Sequence, residues 1–154
     1  MAPQDIEIEV GRQDAEAVAR LLRALPDWFG IEESNLEYIE SARTLPTVLA
    51  LDAGRVVGAL LWRRHFAESA EIHLMAVDPA YHRTGVGSLL LDRAEDALRS
   101  DGVRYLQVKT QGPSWPDEGY EKTRLFYQAR GFVPLEEIVD FWPEDPMLLL
   151  VKAL

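Results

Sequence analysis

Residues 71–91 read EIHLMAVDPAYHRTGVGSLLL, and this stretch decides the fold. Glu71 to Val77 is a β-rich run, Asp78-Pro79 breaks it, and a helical apolar pattern opens at Gly85-Val86-Gly87. A strand that passes through a glycine loop into a helix can aim several backbone N–H groups at one anion. Glycine permits positive φ and close approach, and the helix start adds unpaired donors at the positive end of its dipole. The sequence therefore predicts an anion-binding loop at the centre of an α/β domain, with the chemistry beside it.

Outward from this stretch, Gln4 to Val10 alternates Ile6, Ile8 and Val10 with acidic residues, the period of a half-buried strand. Asp14 is placed to cap a helix whose Val18, Leu21, Leu22 and Leu25 share a face, and Pro26 closes it. After the aromatic loop Asp27 to Gly30, Ser34-Asn35-Leu36-Glu37 has the spacing of a capping box opening a second helix toward Arg43. Glu33, Glu37 and Glu40 read as its solvated face, or alternatively as an acidic wall for a cationic substrate.

Thr47 to Leu51 and Arg55 to Phe66 form a hairpin around Asp52-Ala53-Gly54, and Glu71 to Val77 extends it to a meander. Past the glycine loop, Val86, Leu89, Leu90, Ala94, Ala97 and Leu98 make the apolar stripe of the longest helix, which ends at Gly102. Tyr105 to Thr110 returns as a strand, so the unit is a right-handed parallel crossover. A loop from Gln111 to Gly119, a short helix from Tyr120 to Arg130, and strands at 135–142 and 147–152 complete one domain over residues 1–154.

The 154 residues suffice for one buried core, and 47% hydrophobic with 27% charged residues is the balance of a soluble protein. No apolar run approaches a membrane span and MAPQDIEIEV lacks the layout of a signal peptide, so a cytoplasmic location without membrane contact is expected. The absence of cysteine excludes disulfides, thiolate metal sites and a cysteine nucleophile. His65, His73 and His82 show no ligand spacing, and no metal is expected. A net charge of -10 argues against nucleic acid and favours a cationic partner, while His82, Arg83 and the loop amides supply the local exception that an anion needs.

Gly85-x-Gly87 alone does not name a ligand. A dinucleotide fingerprint requires glycine where Leu90 stands and an acidic residue where the next strand ends in Lys109-Thr110. The stretch instead resembles the acetyl-CoA motif of the GNAT N-acetyltransferase superfamily, Q/R-x-x-G-x-G/A after a strand ending in V-x-P. Here it reads Val77-Asp78-Pro79 and then His82-Arg83-Thr84-Gly85-Val86-Gly87, and Phe126 to Phe132 resembles the family's F-Y-x-x-x-G-F signature. The departure is His82 at the usual Gln or Arg position.

The resemblance implies a GNAT-like α/β fold, with a central mixed twisted sheet of about seven strands flanked by about four helices. It implies acetyl-CoA as co-substrate and transfer of an acetyl group to a primary amine of a small molecule or peptide, by direct attack in a ternary complex. His82, Arg83, Thr84, Gly85, Val86, Gly87 and Ser88 would hold the pyrophosphate, and a bulge near Met75, Ala76 and Val77 would free N–H groups for the thioester oxygen. Tyr127 would act as general acid, with Glu71 as first choice of base and His73 as the alternative. The acceptor pocket would draw on Trp28, Phe29, Glu33, Tyr120 and the loop holding Trp115. The sequence leaves open a non-catalytic acyl-CoA-binding module, a phosphometabolite binder using the glycine loop alone, and a homodimer.

Overall fold

The computed structural model describes residues 5–154. Gln4, the first residue of the expected opening strand, lies outside them. The alternating segment forms β1 (Ile6–Val10), paired antiparallel with β2 (Thr47–Asp52). Asp14 caps α1 (Ala15–Arg23) by accepting the Ala17 N–H at 3.0 Å, and Val18, Leu21, Leu22 and Leu25 are buried as their spacing predicts. The second helix, α2 (Glu32–Ser41), starts before the expected capping box. Ile31 precedes it in extended conformation without a side-chain cap, and Glu32 and Glu33 occupy the first turn, where acidic groups suit the helix dipole. Asn35 lies inside the helix and donates to the Phe29 carbonyl at 2.9 Å.

The meander is as expected. β2 turns through Ala53 and Gly54, both at positive φ, into β3 (Arg55–Phe66), which pairs with β4 (Ser69–Val77). A short 3-10 turn at Pro79–Tyr81 leads to α3 (Val86–Ser100), and β5 (Tyr105–Gln111) returns parallel to β4. In α3 the buried stripe runs through Leu91 and Glu95, while Leu89 is exposed. Glu95 survives burial because Lys152 donates to both its oxygens at 2.8 and 2.9 Å.

The last helix, α4 (Glu118–Ala129), begins two residues earlier than expected because Asp117 caps it, accepting the Tyr120 N–H at 3.0 Å. β6 (Val133–Ile138) and β7 (Met147–Ala153) then close the sheet in the order β1-β2-β3-β4-β5-β7-β6. α1 and α2 cover one face with a core of Leu21, Leu22, Leu49, Leu61 and Leu74. α3 and α4 cover the other with Leu60, Ile72, Leu90, Leu106 and Tyr127.

Two irregularities in β4 matter for the site. Leu61 pairs with Leu74 and Trp62 with Ile72, so His73 is the extra residue of a bulge. The resemblance puts a bulge at Met75 to Val77, but there the ladder to Gly58–Leu61 is regular. The parallel pairing with β5 also ends at Ile72 and Val108, beyond which the two strands part.

Gly58 sets how closely α3 approaches the sheet, since a Cβ there would lie 3.0 Å from Leu90 Cδ1 and 3.1 Å from Val86 Cγ1. Gly58→Val should lower unfolding free energy by about 1–3 kcal/mol through overpacking. Urea denaturation checks this, and an unchanged midpoint would show that α3 can move away freely.

Candidate active site

The glycine loop is built from two left-handed residues, Arg83 at φ 63° and Gly85 at φ 91°. No atom lies within 4 Å of a Cβ built on Gly85, so glycine is needed there for its backbone angle. The first helical bond of α3 runs from the Leu89 N–H to the Gly85 carbonyl at 3.1 Å, leaving the N–H groups of Val86, Gly87 and Ser88 without helical partners. Alternation of left- and right-handed residues ahead of a helix start makes a concave nest of donors, which suits a phosphate. At Gly87 the ring of Phe126 stands 3.4 Å from where a Cβ would lie, so this helix start is also packed against α4.

From this nest a cleft of about 1000 Å³ follows the parting of β4 and β5. Asp78 donates its N–H to the Val57 carbonyl at 2.8 Å, toward β3. By strand alternation, the N–H groups of Val77 and Met75 point to the opposite, open edge. The Val77 carbonyl on that edge is met by His82 Nε2 at 2.8 Å. His82 therefore points back at the strand, with its ring edge-on to Trp28 at 5.8 Å.

Trp28 spans the cleft. Its Nε1 donates to Thr123 Oγ1 at 3.3 Å, its carbonyl accepts from the Tyr120 hydroxyl at 2.9 Å, and its indole fills the space left by Gly119. Burial pushes the Tyr120 hydroxyl pKa well up, with a smaller contribution from Tyr38.

Tyr127 projects from α4 into the same cleft and is 4% exposed. Its ring packs edge-on between Phe126 and Phe132 at 5.3 and 5.4 Å. Among the described residues its hydroxyl has no hydrogen-bond partner. Burial raises its pKa strongly, so it keeps its proton across the neutral range.

The two expected bases are in different surroundings. Glu71 is held by Lys109 Nζ at 2.9 Å and His65 Nε2 at 2.8 Å, and its side chain does not line the cleft. Burial pushes its pKa up, but the Lys109 and His65 hydrogen bonds outweigh that and leave the carboxyl below its ordinary value. His73 does line the cleft, with its ring 5.3 Å from Tyr38 and without a hydrogen-bond partner among the described residues. Burial, followed by the positive charge of Arg63, lowers its pKa and keeps the ring neutral at pH 7.

Of the other expected positions, Met75, Val77, Arg83, Phe29 and Tyr120 line the cleft. Ala76 is buried beneath α1 and α2, Thr84 donates its hydroxyl to the Tyr81 carbonyl, and neither lines it. Glu33 and Trp115 stand exposed away from it. Sequence reasoning misses Tyr38, Phe126, Lys109 and Trp142, all on the wall. Phe126 lay within the aromatic signature, while Tyr38 had no local pattern to mark it.

The comparisons with known proteins agree with this geometry. Residues 44–134 match the model of the Acetyltransferase (GNAT) domain, and the chain belongs to that family. It is 33% identical over 69 residues to the mycothiol acetyltransferase of Beutenbergia cavernae, covering 45% of this chain and 21% of that protein. It is 25% identical over 126 residues to the amino-acid acetyltransferase of Pseudomonas paraeruginosa, covering 82% of this chain and 27% of that one. The chain thus spans about a quarter or less of these relatives' length. A GNAT family acetyltransferase from Elizabethkingia anophelis, solved with acetyl-CoA bound, shares the fold with a TM-score of 0.77 at 20% identity, covering 99% of this chain and 100% of that one.

A ring that binds its proton more weakly when folded loses stability as pH falls below its unfolded value. By NMR titration His73 should therefore show a midpoint below 6.5. A midpoint at or above 6.5 would mean that the ring is hydrated or paired with an anion.

Proposed function

We propose that the protein transfers an acetyl group from acetyl-CoA to a primary amine, as one domain spanning its 154 residues. The observation that carries this reading is the path of the cleft. It leads from the free N–H groups at the start of α3, along the unpaired edge of β4, to the hydroxyl of the buried Tyr127, which has no hydrogen-bond partner among the described residues. The family relationship and the acetyl-CoA bound to the E. anophelis protein support the same donor. The residues present fit it. The pyrophosphate would meet the nest from Arg83 to Ser88, and the pantetheine amides would meet the open backbone edge at Met75 and Val77.

Acetyl-CoA supplies an acyl group already activated as a thioester, so this chain needs to align and move protons. An alkylammonium with pKa about 10.4 arrives protonated at neutral pH. His73, neutral and facing the cleft, is the base this reading prefers, directly or through one water. Glu71 holds Lys109 and His65 and has an anion's charge already satisfied, which makes it the weaker candidate.

The amine then attacks the thioester carbonyl, whose oxygen gains negative charge. The edge N–H groups of Met75 or Val77 are aimed to stabilise that charge. As the C–N bond forms and the C–S bond breaks, Tyr127 donates its proton to the departing sulfur. The proton released by the attacking nitrogen restores the phenol, so the net products are amide, free thiol and one proton. A protonated phenol beside a thiol with pKa about 8.5 suits this exchange. With acyl-CoA as donor, a cytoplasmic location belongs to the same proposal.

A non-catalytic acyl-CoA module would not require a phenol facing the end of the cleft. Acetyl-CoA should raise the melting temperature by mass action, and mixing with a panel of amines should release thiol. A melting shift with no thiol released by any amine would favour the binding module, while no shift would remove the donor assignment. Tyr127→Phe should reduce turnover about 10²- to 10⁴-fold while leaving the melting shift in place. Wild-type turnover in that variant would remove the general acid.

A further inference from the structure

The bulge at His73 gives the cleft two different walls. Met75 and Val77 pack with Phe126 on the α3 and α4 side, whereas Leu74, Phe29 and Tyr38 belong to the core beneath α1 and α2. The first wall adjoins the phosphate nest. The second carries Tyr38, a residue that neither the motif nor its spacing marks out.

Three observations single out Tyr38. Its ring is fixed edge-on against Phe29 at 5.8 Å and His73 at 5.3 Å, so the hydroxyl has a defined position in the cleft. That hydroxyl has no hydrogen-bond partner among the described residues, although it remains open to the cavity. It also lines the same cleft as Tyr120 and Tyr127, so phenols from α2 and α4 converge on one cavity.

The composition of this wall indicates what it takes. Leu25, Phe29, Leu74 and Trp142 give it an apolar and aromatic lining. On this wall Lys109 binds Glu71 at 2.9 Å and Asp145 accepts from Gln111 Nε2 at 3.3 Å, while Asp27, Glu118 and Lys122 line the rest of the cleft without an ion pair among the described residues. Beside His73, a substrate carboxylate would compete with Glu71 for Lys109. An apolar or aryl group would displace only water from apolar surface.

We propose that Tyr38 and His73 together form the acceptor subsite, and that its substrate is a primary amine carried on an aromatic or apolar group. Tyr38 is a substrate-contacting residue that accepts a hydrogen bond from the amine through its phenol oxygen, orienting the nitrogen for proton loss to His73. This rests on the acetyl-transfer reading above, but its binding component can be measured separately.

The probes are phenethylamine, glutamate and spermidine, each with acetyl-CoA and a thiol-release readout. Phenethylamine should show the highest kcat/KM by about tenfold or more, since burial of an aryl group favours it. Tyr38→Phe keeps the ring and should lower kcat/KM for phenethylamine about three- to tenfold, the effect of one lost hydrogen bond. The KM for acetyl-CoA and the acetyl-CoA melting shift should not move, and a structural role would disturb both. Equal kcat/KM for phenethylamine in the two proteins, or preference for glutamate or spermidine, would overturn the subsite. If wild-type protein releases no thiol with any probe, calorimetry of phenethylamine on CoA-loaded protein decides. Binding that weakens in Tyr38→Phe supports the subsite while acetyl transfer fails, and absent or unaltered binding overturns it.

Discussion

The parting of β4 from β5 after Ile72 and Val108 is the feature on which the rest of the site depends. A sheet normally satisfies every interior backbone donor, and one left buried without a partner costs about 1–3 kcal/mol. Here β4 remains paired with β3, and β5 with β7, so each strand keeps its ladder on the far side of the gap. α4 fills part of the opening with Phe126 and Tyr127, and His82 satisfies one carbonyl of the edge. The remaining donors face a cavity. The sheet thus leaves these N–H groups open to solvent or to a ligand.

The bulge at His73 is the second geometric device. Without it, Leu74 would lie on the same face as Ile72, whereas the two residues belong to different cores. Inserting one residue reverses the alternation and turns the histidine toward α2. One strand can then serve a phosphate-bearing ligand on one side and a different molecule on the other.

Charge in the cleft is arranged by pairing and burial. The ion pair between Glu71 and Lys109 fixes two groups that would otherwise attract ligands of either sign. Burial keeps His73 neutral and Tyr127 protonated, so a free imidazole and a phenol share one cavity at the same pH. The overall charge of -10 does not describe this interior, whose working groups are largely uncharged.

Much of this was legible from residue order. Alternation gave the meander, Asp14 and Gly102 marked helix ends, and Gly85 with Gly87 marked the donor loop, because each depends on neighbours a few residues apart. The start of α2 differs, since Ser34 to Glu37 has the pattern of a cap but the helix opens at Glu32, which Arg23 of α1 meets at 2.7 Å. The sequence by itself determined the elements, the glycine nest and the family, all written in local chemistry. Only the tertiary structure decided that His73 rather than Glu71 faces the cleft, that the bulge precedes Met75, and that Tyr38 meets His73. Those outcomes follow from contacts between segments distant along the chain, whose partners no local spacing specifies.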